Sequence, residues 1–204
     1  MPVLIATSGW QYRDWKPLLH PDVPQRCWLE RHAEAFATVE VNNAFCRLPD
    51  RTVFAGWAAR TPADYVITIK ASRFLSNIKR LREPAEPVAR LMDRCSGLGD
   101  KLGPVLQQVP PTLQRDVQLL DDCLGCFPAG TRVGVEPRHD SWWDPSVRAV
   151  LPRRCGACPR SNVDVRAAPA QMRTFSSGKW QATKWFGLIS SSFGMTSAHT
   201  SCAL

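Results

Sequence analysis

The sequence predicts an α/β fold built around a parallel sheet. Short apolar runs that begin near residues 3, 38, 65, 104 and 131 are typical of strands, and a segment with helical spacing follows each run. This alternation repeats about every 30 residues, and strands that alternate with helices favour parallel pairing. With 204 residues and 44% hydrophobic content, the chain can form one domain with a normal core.

Each element has a local signal in the sequence. The run YVITIK is rich in β-branched residues, and the run GPVLQQ is stopped by Pro110-Pro111. One helix follows a Pro-Asp start, and another keeps its apolar residues on one side. The predicted strands are 3–7, 38–42, 65–70, 103–108 and 131–136, and the predicted helices are 28–36, 51–60, 87–95 and 116–127.

The number of repeats predicts an incomplete barrel. Eight β/α units at this spacing need about 250 residues, the usual size of a TIM barrel. Here about five units fit into residues 1–151, and no clean strand alternates with a helix from Pro152 onward. We therefore predict a partial, TIM-barrel-like domain over residues 1–151 and an irregular tail over residues 152–204.

Several classes of protein are disfavoured by what the sequence lacks. No stretch approaches 18 consecutive apolar residues, and the start MPVLIATSGW enters a polar turn without a basic segment. We expect neither a membrane span nor a signal peptide, and we expect a cytoplasmic location. The sequence contains no Gly-rich phosphate loop, Gly-x-Ser-x-Gly elbow or His-Glu-x-x-His motif, which excludes the common nucleotide, hydrolase and zincin sites.

A series of motifs resembles the YecE-like proteins, the domain-of-unknown-function family number 72, over about residues 3–151. The motifs are TSGW at 7–10 with Tyr12 and Trp15, TVEVNNAF at 38–45, RLP at 47–49, TP at 61–62, Lys70, KLGPVLQQVPP at 101–111 and VEPRHDSWW at 135–143. The resemblance implies a fold similar to TIM barrels of the xylose isomerase and endonuclease IV type. It implies no particular activity.

The chain also departs from that family pattern. Ala6 replaces the usual glycine, Cys46 replaces the tyrosine of a Phe-Tyr pair, Asn77 replaces a histidine, and Pro137 replaces the phenylalanine of Glu-Phe-Arg-His. No family motif is recognisable beyond Leu151. Residues 152–204 hold seven of the 26 Lys and Arg but one of the 18 Asp and Glu. Such an abrupt change is typical of a reading-frame shift, and a divergent half of the domain is the alternative.

Polar residues cluster where the predicted strands end, the position at which TIM barrels place their working groups. Glu40, Lys70 and Glu136 are the predicted catalytic residues, because two carboxylates near basic groups suit general acid and base catalysis. They also suit a divalent cation, although we assign no metal ligand and identify no cofactor. The alternative is that Glu40 pairs with Lys70 and Glu136 with Arg138 to order the end of the barrel. The predicted binding residues are Trp10, Asn42, Gln108, Arg138, His139 and Trp142.

Aromatic residues surround these polar groups in the sequence. Trp10, Tyr12, Trp15, Trp142 and Trp143 are able to form a floor for a sugar or a nucleobase. Packing in the core is the more common use of such side chains. Because Trp142 and Trp143 are adjacent, we expect one to face the core and the other to be available to a ligand.

Two Cys-x-x-Cys pairs imitate a four-thiolate zinc site. Cys123 and Cys126 form one pair, and Cys155 and Cys158 form the other. Cys123, however, lies in the apolar stripe of a predicted helix, where a thiol acts as a small hydrophobic group. We therefore favour core packing over zinc, and a solvated helix face over metal binding for His32.

The sequence leaves three functions open. The first is a site at the barrel mouth for a phosphate- or hydroxyl-rich ligand, with hydrolytic activity. The second is a non-catalytic protein that recognises nucleic acid through basic and aromatic groups. The net charge of +8 is weak support for it, because most of the excess lies in residues 152–204. The third is a truncated product without activity. An enzyme needs Glu40 and Glu136, whereas a phosphate binder tolerates their amides.

Overall fold

Five parallel strands form one sheet in the computed structural model, which describes residues 4–154. The strands are β1 (Ala6–Ser8), β2 (Thr38–Val41), β3 (Val66–Lys70), β4 (Leu102–Val109) and β5 (Val133–Pro137). They pair in sequence order from β1 to β5. The predicted α/β fold with a parallel sheet is thus confirmed. Within the described residues, hydrogen bonds do not close the sheet into a barrel.

Helices connect consecutive strands. They are α1 (Lys16–Leu19), α2 (Trp28–Ala35), α3 (Asn43–Cys46), α4 (Arg51–Ala59), α5 (Ala85–Cys95), α6 (Val117–Gly125) and α7 (Pro145–Arg154). The four predicted helices correspond to α2, α4, α5 and α6. The predicted boundary at residue 151 lies inside α7, and the rest of the predicted tail lies outside the described residues. Among residues 4–154, no helix is both long and apolar enough to span a bilayer.

The two faces of the sheet differ in chemistry. Val39, Ile69 and Val105 are fully buried in the same apolar core as Phe54 of α4 and Leu91 of α5. Because side chains alternate along a strand, the intervening residues point to the opposite face. That face carries polar groups, with the side chains of Thr38, Glu40, Thr68, Lys70, Gln108 and Glu136.

A bulge between β3 and β4 sets the alignment of the polar face. Ile67 pairs with Leu102, whereas Ile69 pairs with Val105, so β4 contains one extra residue. Gly103 lies in this bulge, where a Cβ atom would approach Val66 Cγ1 to 2.7 Å. Glycine is therefore required for the close contact of the two strands.

A buried histidine joins β1, α2 and the start of β3. His32 Nε2 lies 2.6 Å from Thr7 Oγ1, and His32 Nδ1 lies 2.8 Å from the Tyr65 hydroxyl. Thr7 donates its own proton to the carbonyl of Gly9, so it accepts from Nε2–H, and Nδ1 accepts from Tyr65. The neutral ring is fully satisfied, and burial lowers the pKa of His32 to about 4.

Unlike the ring of His32, the buried side chain of Gln107 lacks hydrogen-bond partners within residues 4–154. It is fully buried between Val105 and Val109, on the apolar face of the sheet. Within the described part of the chain, neither its Nε2 nor its Oε1 has a hydrogen-bond partner. A buried amide without partners lowers stability, because it has lost its bonds to water.

Stability should decrease in acid because of His32. The unfolded chain takes up a proton near pH 6.5, whereas the folded protein resists protonation until about pH 4. The free energy of unfolding should therefore fall between pH 6.5 and 4, by up to about 3 kcal/mol from this group. His20, whose pKa burial also lowers, acts in the same direction. Urea denaturation across this range measures the effect.

The substitution His32→Gln should flatten that pH dependence. An equally steep pH dependence in His32→Gln would contradict the assignment of the neutral ring.

Replacing Gln107 by leucine should stabilise the fold. The substitution removes two unsatisfied buried atoms and keeps a similar volume, so we expect the free energy of unfolding to rise by about 1 kcal/mol or more. Gln108→Leu is the matched control, because it removes a hydrogen bond to Glu136 and should give no gain. Both are measured by urea denaturation at pH 7. A less stable Gln107→Leu would show that this amide is satisfied in solution.

Candidate functional site at the carboxyl edge of the sheet

One polar cluster lies where β4 and β5 end. We call this side of the sheet, formed by the carboxyl ends of the five strands, the carboxyl edge. Gln108 and Glu136 are register partners, and Gln108 Nε2 donates to Glu136 Oε2 at 2.9 Å. Arg138 donates to the other oxygen from Nε at 3.2 Å and from Nη2 at 3.1 Å. The Glu136 carboxylate is thus held in place while its side chain remains 35% exposed.

A second cluster lies where β1 and β2 end. Ser8 is the register partner of Glu40, and its hydroxyl donates to Glu40 Oε1 at 3.4 Å. Asn42 Nδ2 donates to the Ser8 oxygen. Glu40 itself is only 2% exposed, so this carboxylate is far less accessible than that of Glu136.

Lys70 ends β3, the strand between these clusters. It is half-buried, and its Nζ atom lies 4.9 Å from the centroid of the Phe45 ring. The ion pair of Glu136 with Arg138 is present. Lys70, the partner considered for Glu40, makes no salt bridge with any acid of residues 4–154. Phe45 was not predicted as part of the site, because no periodicity in its motif indicates that its ring faces Lys70.

The register staggers the two carboxylates along the sheet. Glu40 is level with Thr68, Lys70 is two residues further along, and the pair of Gln108 and Glu136 is two residues beyond that level. On a flat sheet, Glu40 and Glu136 would be about 14 Å apart across the strands and about 13 Å apart along them. Among residues 4–154, no group of three His, Cys, Asp or Glu residues is arranged to hold a metal ion.

Both predicted binding tryptophans are packed in the core. Trp10 is 4% exposed and meets Trp57 edge to face at 5.2 Å between ring centroids. Trp142 is fully buried, and its Nε1–H donates to the carbonyl of Leu113 at 2.7 Å. Its neighbour Trp143 is half-buried, as expected for adjacent residues. Ligand contact by Trp10 or Trp142 stays a prediction.

His139 orders the loop that follows β5. Its Nδ1 atom accepts the backbone N–H of Ser141 at 3.1 Å and so caps the short 3₁₀ turn Asp140–Trp142. The Nδ1 atom of the half-buried ring is therefore an acceptor, and a ligand would have to approach Nε2.

Two of the five cysteines of the described region, Cys95 and Cys123, are buried core residues. Cys123 is buried in α6, and burial raises its pKa to about 12. Cys126 is half-buried, and all five cysteines of this region are free thiols. Cys155 and Cys158 lie outside the described residues. The prediction that His32 lies on a solvated helix face is wrong, because its ring is fully buried with both nitrogens in hydrogen bonds.

The sequence matches one family model, described as "Protein of unknown function DUF72", over residues 4–188. The chain belongs to the DUF72 family. The motifs quoted above end at Trp143 and the resemblance extends to about residue 151, whereas the family match continues to residue 188. No curated protein matches the chain.

Solved structures of DUF72 family proteins resemble this fold. One from Thermotoga maritima MSB8 has a TM-score of 0.64 and 22% identity, with 74% of this chain and 61% of that chain covered. One from Enterococcus faecalis V583 has a TM-score of 0.60 and 18% identity, with 72% and 54% covered. This DUF72 chain therefore spans less than two thirds of the length of either relative.

The adjacent tryptophans should differ in their effect on stability. Trp142→Ala removes a fully buried ring and its hydrogen bond, so the free energy of unfolding should fall by about 3–5 kcal/mol. Trp143→Ala is the matched control and should cost less than half as much, since that ring is half-buried. Urea denaturation measures both. Equal losses would contradict the different burial of the two rings.

Proposed function

We propose that this DUF72 chain binds a phosphate- or hydroxyl-rich ligand at the carboxyl edge of its sheet. The observation that carries the proposal is the half-buried side chain of Lys70, whose ammonium makes no salt bridge within residues 4–154. A cation without an ion-pair partner among these residues is available to an anionic ligand. Phosphate oxygens form strong, charge-assisted hydrogen bonds with such groups.

The neighbouring side chains suit the rest of such a ligand. Asn42, Gln108 and Glu136 provide amide and carboxylate groups for hydroxyls, and the side chain of Arg138 is 50% exposed. His139, Trp10 and Trp142 complete the proposed binding set. For hydrolysis, Glu136 is the accessible carboxylate that would act as acid or base, and Glu40 would act from its buried position.

We also propose that the five strands form part of a TIM-like barrel. From β2 to β5, the polar residues advance by four residues over three strands, which is close to the stagger of one residue per strand in an eight-stranded barrel. Five units are about five eighths of such a barrel, and the chain spans 61% of the Thermotoga maritima relative. In a barrel with this stagger, Glu40, Lys70 and Glu136 would approach the same level and face one another.

The cytoplasm is the proposed location. Support comes from the five free cysteines of residues 4–154, because thiols stay reduced in that compartment.

Binding of D-ribose 5-phosphate tests the proposed site. Isothermal titration calorimetry should give a saturable signal, and Lys70→Ala should weaken binding about tenfold or more through loss of a charge-assisted contact. Lys16→Ala is the matched control, because it removes the same charge from an exposed position in α1. An equal loss in both variants, or no saturable binding by the wild type, would contradict the proposal.

The substitution Glu136→Gln distinguishes a hydrolytic enzyme from a non-catalytic binding protein. If Glu136 acts in hydrolysis, phosphate release from D-ribose 5-phosphate should fall by about 100-fold or more while binding persists. Binding without any release in the wild type would reject hydrolysis of this compound. Binding of single-stranded DNA that Lys70→Ala weakens equally would favour the nucleic-acid alternative. Wild-type protein that folds but binds neither compound would favour the inactive product.

A further inference from the structure

A cavity lies beside the carboxyl edge, outside the site proposed above. It has a volume of 440 Å³ and is enclosed by the loops after β2 and β3 and by one face of α5. Leu48, Phe74 and Pro87 form apolar walls, and the Phe74 ring is 42% exposed. None of the predicted site residues lines this cavity.

Three arginines also line the cavity, and they differ in their pairing. Arg94 forms a salt bridge with Asp50, so its charge is already balanced. Arg47 and Arg90 are exposed and make no salt bridge with any residue of the described region. The remaining acid of the lining is Glu86, one turn before Arg90 on α5. The cavity therefore carries a net positive charge and two guanidinium groups that are available to an anion.

The loop that supplies Phe74 has an unusual backbone. A π-helix spans Phe74–Ile78, and three non-glycine residues after it have positive φ angles, namely Arg80, Leu81 and Glu83. Leu81 is fully buried, which anchors the loop despite this conformation. Such π-helices and strained residues cluster at ligand sites in proteins, because the surrounding structure must stabilise them.

Ser72 adds a further polar group to the wall. Its Oγ atom accepts the backbone N–H of Phe74 at 3.0 Å, which positions the ring at the start of the π-helix. No hydrogen bond among the described residues uses the hydroxyl proton of Ser72. This proton is available to a phosphate oxygen, alongside the guanidinium groups.

We infer that this cavity is a second binding site, for a phosphate group carried on an aromatic ring. The guanidinium groups of Arg47 and Arg90 bind the phosphate, and the exposed face of Phe74 stacks on the ring between Leu48 and Pro87. The volume lies within the usual range of about 300–1,000 Å³ for small-molecule sites and accommodates a ligand of mononucleotide size. The site is independent of Lys70.

Titration with phenyl phosphate and with inorganic phosphate tests this inference on the full chain. The wild type should bind phenyl phosphate more tightly, because inorganic phosphate cannot contact Phe74. Arg47→Ala and Arg90→Ala should each weaken phenyl phosphate binding about tenfold. Phe74→Ala should lower its affinity to that of inorganic phosphate. These side chains are exposed, so circular dichroism should confirm that the variants fold.

Arg82→Ala is the matched control, since it removes one exposed arginine from the same loop outside the cavity, and it should change the affinity less than twofold. Lys70→Ala should keep the phenyl phosphate binding that Arg90→Ala removes. Equal losses of affinity in Arg82→Ala and Arg90→Ala would show that the effect comes from the overall charge of the protein, and would overturn the inference. Binding that is lost in Lys70→Ala but kept in Arg90→Ala would show that phenyl phosphate binds at the carboxyl edge, and would overturn the inference. The absence of saturable binding by the wild type would also overturn the inference.

Discussion

The parallel register of the five strands is the constraint on which the rest of the structure depends. Side chains alternate between the two faces, so a shift of one residue would exchange the apolar and polar faces of a strand. The contact of Gly103 with Val66 fixes the bulge between β3 and β4. Beyond that bulge, Lys70 is level with Leu106, and Gln108 is level with Glu136. The register therefore brings acids, amides and one lysine to the same edge and the same face.

The loop after β3 links the two proposed sites. Lys70 ends the strand, and the π-helix begins four residues later at Phe74. At the carboxyl edge, Glu136 has partners for both oxygens, whereas the Lys70 ammonium lies over the Phe45 ring and makes no salt bridge within residues 4–154. In the cavity, Arg94 is paired with Asp50, whereas Arg90 makes no salt bridge in the described part of the chain. In both places the unbalanced charge is positive, which favours anionic ligands.

Local patterns in the sequence were sufficient for the strands and the principal helices. The β-branched run before Lys70 forms β3, and the predicted ends of the second and fifth strands place Glu40 and Glu136 at the same edge. Contacts between distant residues were not predictable. The burial of Trp142 depends on the carbonyl of Leu113, 29 residues away, and the tautomer of His32 depends on Tyr65, 33 residues away. The positive φ angle of Leu81 has no sequence signal, because it arises from tertiary packing.

The central claim is that the Lys70 ammonium at the carboxyl edge receives an anion. A crystal of the full chain soaked in tungstate, a heavy analogue of phosphate, tests it most directly through the anomalous signal of tungsten. The account predicts a tungsten peak within hydrogen-bonding distance of Lys70 Nζ at the carboxyl edge. An ammonium of Lys70 bonded to the carboxylate of Glu40, with no tungsten peak beside it, would contradict the account.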